Sequence, residues 1–350
     1  MNFTIRSVAC CVAVLCLGVS ACGPKLDNDG LGLDVPPADT NVSGAVTVSG
    51  SSTVEPISAL VAEEFMAQNR NVKVTVDGPG TGDGFELFCN GEVDVADASR
   101  PIKDEEIQNC ADNGIEFIEL KVGIDGLSVI TPAANQIDCL NFADLYALVG
   151  PESEGFSRWT HASGIAGELG SKTEFPDHRL VVTAPGAESG TFDSFVELVL
   201  EPMAEARVEA GAADAEQVEG ARDDYSAQPD DNAIIEGVMS DSGGLGWAGF
   251  AYAEQAEGIH LVPVAKSPGA ECVAPTIETI QDGSYPVSRF LYIYVNAAEA
   301  EKNPGLEAFI DFYLGGLSTF VETSDYIALA DQGQTLEAWN SRTLGRQGSH

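Results

Sequence analysis

The sequence predicts an α/β protein built as two lobes that share crossing strands and leave a cleft between them. Three observations carry this. The chain has 350 residues, 44% of them hydrophobic, which suits two domains of ordinary size. From Ala45 onward, short β-branched runs alternate with helical patterns. A strand-like run, Phe290–Val295, returns late, after a central region with strands and helices of its own.

The elements follow in order. Residues Met1–Gly18 hold one basic residue, Arg6, and an apolar run from Val8 to Leu17. That run is about half the length a bilayer-spanning helix needs, and residues 1–21 read as a signal peptide. It ends in Val19-Ser20-Ala21-Cys22, which resembles the bacterial lipobox, with Cys22 as the lipidated residue. An exported lipoprotein, in the periplasm or at the cell surface and anchored to a membrane, is the expectation. Residues 22–43, with Pro36-Pro37 and no apolar periodicity, read as a flexible tether. Four cysteines remain beyond Cys22, and an even number in an exported chain favours two disulfides. Of three pairings, the one expected joins Cys89 to Cys110 in a short local loop and Cys139 to Cys272 across the second lobe.

Ala45–Val48 reads as a strand, and the helix after it places Ile57, Leu60, Val61 and Phe65 on one face, with Pro56 in its first turn. Val72–Val76, Val93–Ala96 and Ile115–Leu120 are further strands, and Gly126–Ile130 is the strand where the chain crosses over. A mostly parallel sheet is expected. Beyond the crossing, Phe142–Val149 reads as helix, Leu180–Thr183 as strand and Thr191–Leu200 as a helix stopped by Pro202. The first lobe is then expected at residues 44–126 and 260–345, and the second at 127–259.

Composition narrows function. There are 17 basic and 55 acidic residues, a formal charge of −38. Such a surface repels nucleic acid and anionic lipid. The four histidines are scattered and no paired-Cys zinc spacing or HExxH occurs, so no metal or other cofactor is expected. The motifs GxSxG and GxxxxGK[ST] are absent too, which argues against an enzyme.

Three loops share one character: Gly50-Ser51-Ser52-Thr53, Gly80-Thr81-Gly82 and Glu188-Ser189-Gly190-Thr191 each put glycine and hydroxyl residues where a helix begins. Unpaired N–H groups and hydroxyls at helix starts suit a phosphate- or sulfate-like anion. A plain Ser/Thr cap is the simpler reading of any one loop, and three in one chain weaken it.

These loops, with Asp94-Val95-Ala96-Asp97-Ala98-Ser99-Arg100-Pro101-Ile102, Asp125-Gly126-Leu127, Ser189–Asp193, Arg222–Ala227 and Ser288-Arg289, resemble in order the substrate-binding proteins of bacterial phosphate ABC transporters. The resemblance runs from about Val46 to Trp339. It implies the two-lobed type II periplasmic-binding-protein fold, inorganic phosphate as ligand, an ABC permease as partner and a monomer. Carried over by motif, the first loop (Ser52, Thr53 and the Val54 N–H), Thr81 and Gly82, and Ser189, Gly190 and Thr191 contact phosphate, with Ser99 in a further binding loop.

Some relatives carry an aspartate where Ser99 or Arg100 stands, to accept the proton of hydrogen phosphate and so reject sulfate. Asp94, Asp97 or Glu188 are the expected substitutes. Arg100 first and Arg222 second are the expected phosphate-binding arginines. Arg289 reads as a hinge or packing residue. A receptor for another oxyanion, or a surface phosphate sensor, is the alternative.

Overall fold

A computed structural model of the protein describes residues 33–135, 137–187, 189–215, 218 and 220–347. The leader, Cys22 and Glu188 lie outside the described residues.

The first lobe begins with β1 (Gly44–Gly50), α1 (Glu55–Gln68), β2 (Val72–Asp77), α2 (Thr81–Cys89), β3 (Val95–Ala98) and α3 (Asp104–Asp112). Then comes β4 (Phe117–Pro132), which fuses two expected strands into one of 16 residues. The second lobe holds β5 (Leu140–Asn141), α4 (Phe142–Val149), α5 (Ser163–Glu168), β6 (Val181–Pro185), α6 (Gly190–Phe195), α7 (Glu201–Glu209) and β7 (Ser226–Gln228). It continues through α8 (Asp231–Met239), β8 (Gly244–Gly249), α9 (Phe250–Ala253), β9 (Ile259–Leu261), β10 (Val264–Ala265) and α10 (Ile277–Gln281). The chain returns on β11 (Ser288–Asn296) and ends in α11 (Ala297–Lys302), α12 (Pro304–Gly315), α13 (Leu317–Thr323) and α14 (Gly333–Asn340).

One sheet runs through both lobes in the order β2-β1-β3-β11-β4-β8-β6-β7, with β9 also on β4. Its flanks are parallel, as expected, but the centre is antiparallel: β11 runs against both β3 and β4, and β4 against β8. β4 is the hinge strand. Its residues up to Gly126 pair with β11, and from Leu127 onward they pair with β8. Because β11 is antiparallel to β4, its start at Ser288 lies opposite Gly126, so both crossings sit side by side.

Each lobe has its own core. Val46, Val48, Ile57, Val61, Phe65 and Phe309 are among the residues of one, and Leu145, Trp159, Phe195 and Trp247 are among those of the other. Ile57, Val61 and Phe65 are fully buried, and Leu60 packs at the edge. Both expected disulfides are formed: Cys89–Cys110 ties the end of α2 to α3, and Cys139–Cys272 ties the strand pair β5 and β10.

Three expectations are corrected. The return to the first lobe comes later than residue 260: Val262, Val264, Ile280, Tyr285 and Val287 pack in the second core, and β10 pairs with β5. A two-residue strand covered by a disulfide carries too little periodicity to reveal its lobe. The tether is shorter than expected, because Leu33, Val35, Ala38 and Val42 pack on the first core and the Ala38 N–H donates to Gln68. Nor does Pro202 stop the helix. α6 widens into a π-helical stretch, Val196–Leu200, and α7 starts with Pro202 in its first turn. The wider turn removes the need for the N–H that proline lacks.

Candidate functional site: a cleft with two unlike sides

The first and third loops meet across the lobes. A hydrogen on Gly190 points at the Ser52 carbonyl and Thr53 Cα, close enough that a methyl there would stand 3.5 Å from both. Ser52 Oγ donates to Asp193 Oδ2 at 2.9 Å, and Thr53 Oγ1 lies 3.3 Å from Ser194 Oγ. The first loop is shaped from within: the Val54 N–H donates to the Ser51 carbonyl and the Thr53 N–H to Ser51 Oγ. The second loop sits against it through glycine. Gly84 in α2 lies so close to Gly50 that an added Cβ would stand 2.4 Å from Gly50 Cα. Gly50 itself has φ 148°, a region that favours glycine. Thr81 Oγ1 lies 3.0 Å from Ser99 Oγ and accepts the Ser99 N–H, so the second loop and the Ala98-Ser99 turn are one unit. Ser189 is a plain N-cap, accepting from the Thr191 N–H.

Arg289 stands at the centre. Its Nη2 donates to Ser194 Oγ at 2.7 Å and to Thr53 Oγ1 at 3.1 Å, its Nη1 pairs with Glu197, and its Nε lies 3.6 Å from Asp125 Oδ2. The antiparallel register puts Arg289 directly opposite Asp125, one residue from each crossing. Among the described residues, Arg289 Nε and Asp125 Oδ2 are both buried and neither has a hydrogen-bond partner. Burial pushes the Asp125 carboxyl above the ordinary range, and the Arg289 charge and the Ser194 hydroxyl pull part of that back.

On either side of this junction is a cavity. One, about 370 Å³, is lined by Ser189, Gly190, Thr191, Tyr326 and four acidic residues: Asp125, Asp230, Asp231 and Asp325. No basic residue is among its described lining. The other, about 820 Å³, is lined by Thr81, Gly82 and Ser99 and by five basic side chains, Arg100, Lys103, Lys121, Lys266 and Arg289, against three acidic ones, Asp83, Glu197 and Glu201. In a chain of net charge −38, a formal +2 at one cavity beside −4 at the next is a steep local gradient.

The arginine expectations are corrected here. Arg100 reaches the wall of the larger cavity, but its guanidinium is held by Glu106 in a two-pronged pair and lies over the Phe85 ring. Arg222 lines neither cavity; it is buried in the second lobe on Asp224 and the carbonyls of Leu148 and Phe156. Both are held locally, by carboxylates six and two residues away. Arg289, read as a hinge residue, is the guanidinium that faces both loops.

The carboxylates sort likewise. Asp94 accepts from the Thr47 N–H and hydroxyl and is structural. Asp97 turns toward α1, accepting from Ser58 Oγ at 2.9 Å, and burial pushes it up to about 8. The acid that faces the junction is Asp125, which sequence reasoning quoted in a motif without giving it a role.

The family model for a PBP superfamily domain matches residues 35–316. The chain therefore belongs to the PBP superfamily, the class that its two-lobed fold and interlobe cleft describe. Within that class it is 37% identical over 293 residues to protein SphX of Synechococcus elongatus, spanning 83% of this chain and 79% of that protein. It is 30% identical over 293 residues to the phosphate-binding protein PstS of Staphylococcus saprophyticus, spanning 83% and 82%. A solved structure described as a possible phosphate binding protein from Planctomyces limnophilus superposes with a TM-score of 0.75 at 35% identity, covering 86% of this chain and 99% of that one.

Proposed function

We propose that this protein captures inorganic phosphate outside the cytoplasmic membrane and delivers it to an ABC permease, acting by binding and release with no chemical turnover. Phosphate sits at the junction of the lobes beside Arg289, which touches the first loop directly and has Thr81 with Ser99 on one side and Ser189-Gly190-Thr191 on the other. The observation that carries this reading is the buried ion pair at the junction, Arg289 Nε and Asp125 Oδ2, 3.6 Å apart and beyond hydrogen-bond distance, which sets a donor and an acceptor side by side. Monohydrogen phosphate matches such a pair, since its ionised oxygens accept and its one hydroxyl donates. Sulfate has no proton to give, and leaves Asp125 facing an oxyanion.

Mechanism follows from the hinge. β4 and β11 cross between the lobes side by side, so rotation about Gly126 and Ser288 separates the first loop from α6 and opens the cleft. Closure brings Ser52 to Asp193 and Thr53 to Ser194, with Arg289 bridging both. Water leaves the site, and the fixed dipoles act at low dielectric. The lipobox-like Val19–Cys22 supports a lipid anchor that keeps the protein beside its permease and raises its effective concentration there. A docked permease completes the cycle by holding the lobes open.

Calorimetric titration of the purified protein, stripped of ligand, tests this. Tight one-to-one binding of phosphate that excess sulfate does not displace is expected. Equal binding of both anions would mean a general oxyanion receptor, and binding of neither would remove the reading.

A further inference from the structure

The larger cavity exceeds what orthophosphate needs. At about 820 Å³ it lies in the range of sites for whole small molecules, and most of its basic side chains lie beyond the junction. Lys121 rises from the hinge strand, half-buried, with its ammonium 3.6 Å from the centre of the Phe290 ring and 5.9 Å from that of Tyr292. Burial lowers its pKa. The ring faces offset part of that desolvation, Glu119 acts on the ammonium from the same strand, and the charge still lines the cavity wall. Lys266 comes from the other lobe, one residue past β10, and is exposed. It makes no ion pair among the described residues. Thus Lys121 and Lys266 face one cavity from opposite lobes, next to Thr81 and Ser99.

We infer that this cavity is a second anion subsite contiguous with the phosphate cradle, so that the protein also takes condensed phosphate. One phosphoryl group occupies the cradle and the next lies between Lys121 and Lys266. This rests on the cradle being a phosphate site. The lining favours a second anionic group over an organic ester tail. The Phe290 face is covered by the Lys121 ammonium, and Tyr292 is only 2% exposed, so neither ring offers a free stacking surface. Lys121 and Lys266 also come from both lobes, so a bridging anion supports closure as orthophosphate does.

The test is calorimetry of the purified protein with inorganic pyrophosphate, orthophosphate and phenyl phosphate, with phosphorus NMR to exclude hydrolysis of the pyrophosphate. Pyrophosphate is expected to bind one-to-one in competition with orthophosphate. Lys121→Met and, independently, the exposed Lys266→Ser should each weaken pyrophosphate by about tenfold or more, the loss of one charge-assisted contact, while orthophosphate changes by less than about threefold. Orthophosphate binding without pyrophosphate binding overturns the subsite and leaves the phosphate reading standing; no orthophosphate binding overturns the reading itself. Equal losses for both ligands in the lysine variants would show only a diffuse field and overturn the subsite. So would phenyl phosphate binding as tightly as pyrophosphate and ignoring both substitutions.

Discussion

The two cavities flanking Arg289 are built from the same kinds of loop and differ in charge. The side with Thr81 and Ser99 gathers five basic side chains, and the side with Ser189–Thr191 gathers four aspartates and, among the described residues, no basic one. Helix starts and hydroxyls occur on both sides, so what distinguishes the two cavities is the local balance of full charges. The acidic side has a different use. Asp125 reaches the junction from it, where on the proposed reading it accepts a ligand's proton, and Asp231 lies in the field of Asp325 and Asp230. On the proposed reading, one side holds the anion and the other sets the terms of holding it.

The largest expected effect is at the point where the two sides touch. Arg289→Met removes the cation shared by Thr53, Ser194, Glu197 and Asp125, and leaves a buried carboxylate unpaired. Phosphate affinity should fall by about a hundredfold or more, on the scale of breaking a buried pair. Titration measures it, with a thermal melt to confirm folding; a loss under threefold would mean that the anion does not sit at the junction. Arg100→Met and Arg222→Met, by contrast, should change stability and leave phosphate affinity within a few-fold.

Next is the reading of the proton. Asp125→Asn keeps the shape and removes the acceptor-only oxygen. Phosphate should weaken roughly tenfold, while sulfate gains, so that selectivity narrows by more than either change alone. Competition titrations check this. An unchanged phosphate-to-sulfate ratio would move discrimination away from Asp125, and the acidic side would lose its assigned part.

How far the sequence could reach is clearest in these same residues. The three loops were legible because helix starts with glycine and hydroxyl residues are local patterns. The two lobes were legible because strand and helix alternate and strand-like sequence returns. The choice of arginine was not. Arg100 and Arg222 look free in sequence, yet Glu106 and Asp224 lie within a few residues and capture them. Arg289 gains its place from a register: it faces Asp125 across a strand pair that joins residues far apart in the chain. No local propensity encodes that pairing. Residues 33–43 misled for a related reason. Their apolar residues are sparse and aperiodic, and only the folded first lobe, at the end of α1 and along α12 and α13, gives them something to cover.

A smaller effect tests the acidic side as a brake on closure. Burial, with Asp325 and Asp230 nearby, pushes Asp231 from 3.8 up to about 6. Tyr252, beside Asp325 and Asp231, is pushed up to about 12. A carboxyl whose pKa is raised in the closed form favours closure fully when it is protonated in both forms, and that contribution is lost as pH rises through about 6. At pH above 7 the closed form therefore bears a penalty that Asp231→Asn removes, and phosphate affinity should rise by about tenfold there. The advantage of the variant should shrink as pH falls below 6 and vanish near 4, which makes the ratio of the two affinities across pH the useful measurement. A ratio constant across that range would mean that Asp231 does not feel closure.

The smallest effect concerns approach. A chain of charge −38 repels phosphate at long range, while the +2 lining of the larger cavity attracts it only nearby. Salt shortens the reach of both, to about 8 Å at physiological ionic strength. The distant repulsion is screened first, so association should quicken by a few-fold as inert salt rises from low concentration and then level off. Lys266→Glu reverses the exposed charge at the basic mouth, and should slow association and steepen the gain with salt. Stopped-flow association rates separate the two entrances. If Lys266→Glu leaves the salt curve unaltered, phosphate enters past the aspartates, and the basic side holds the ligand without guiding it in.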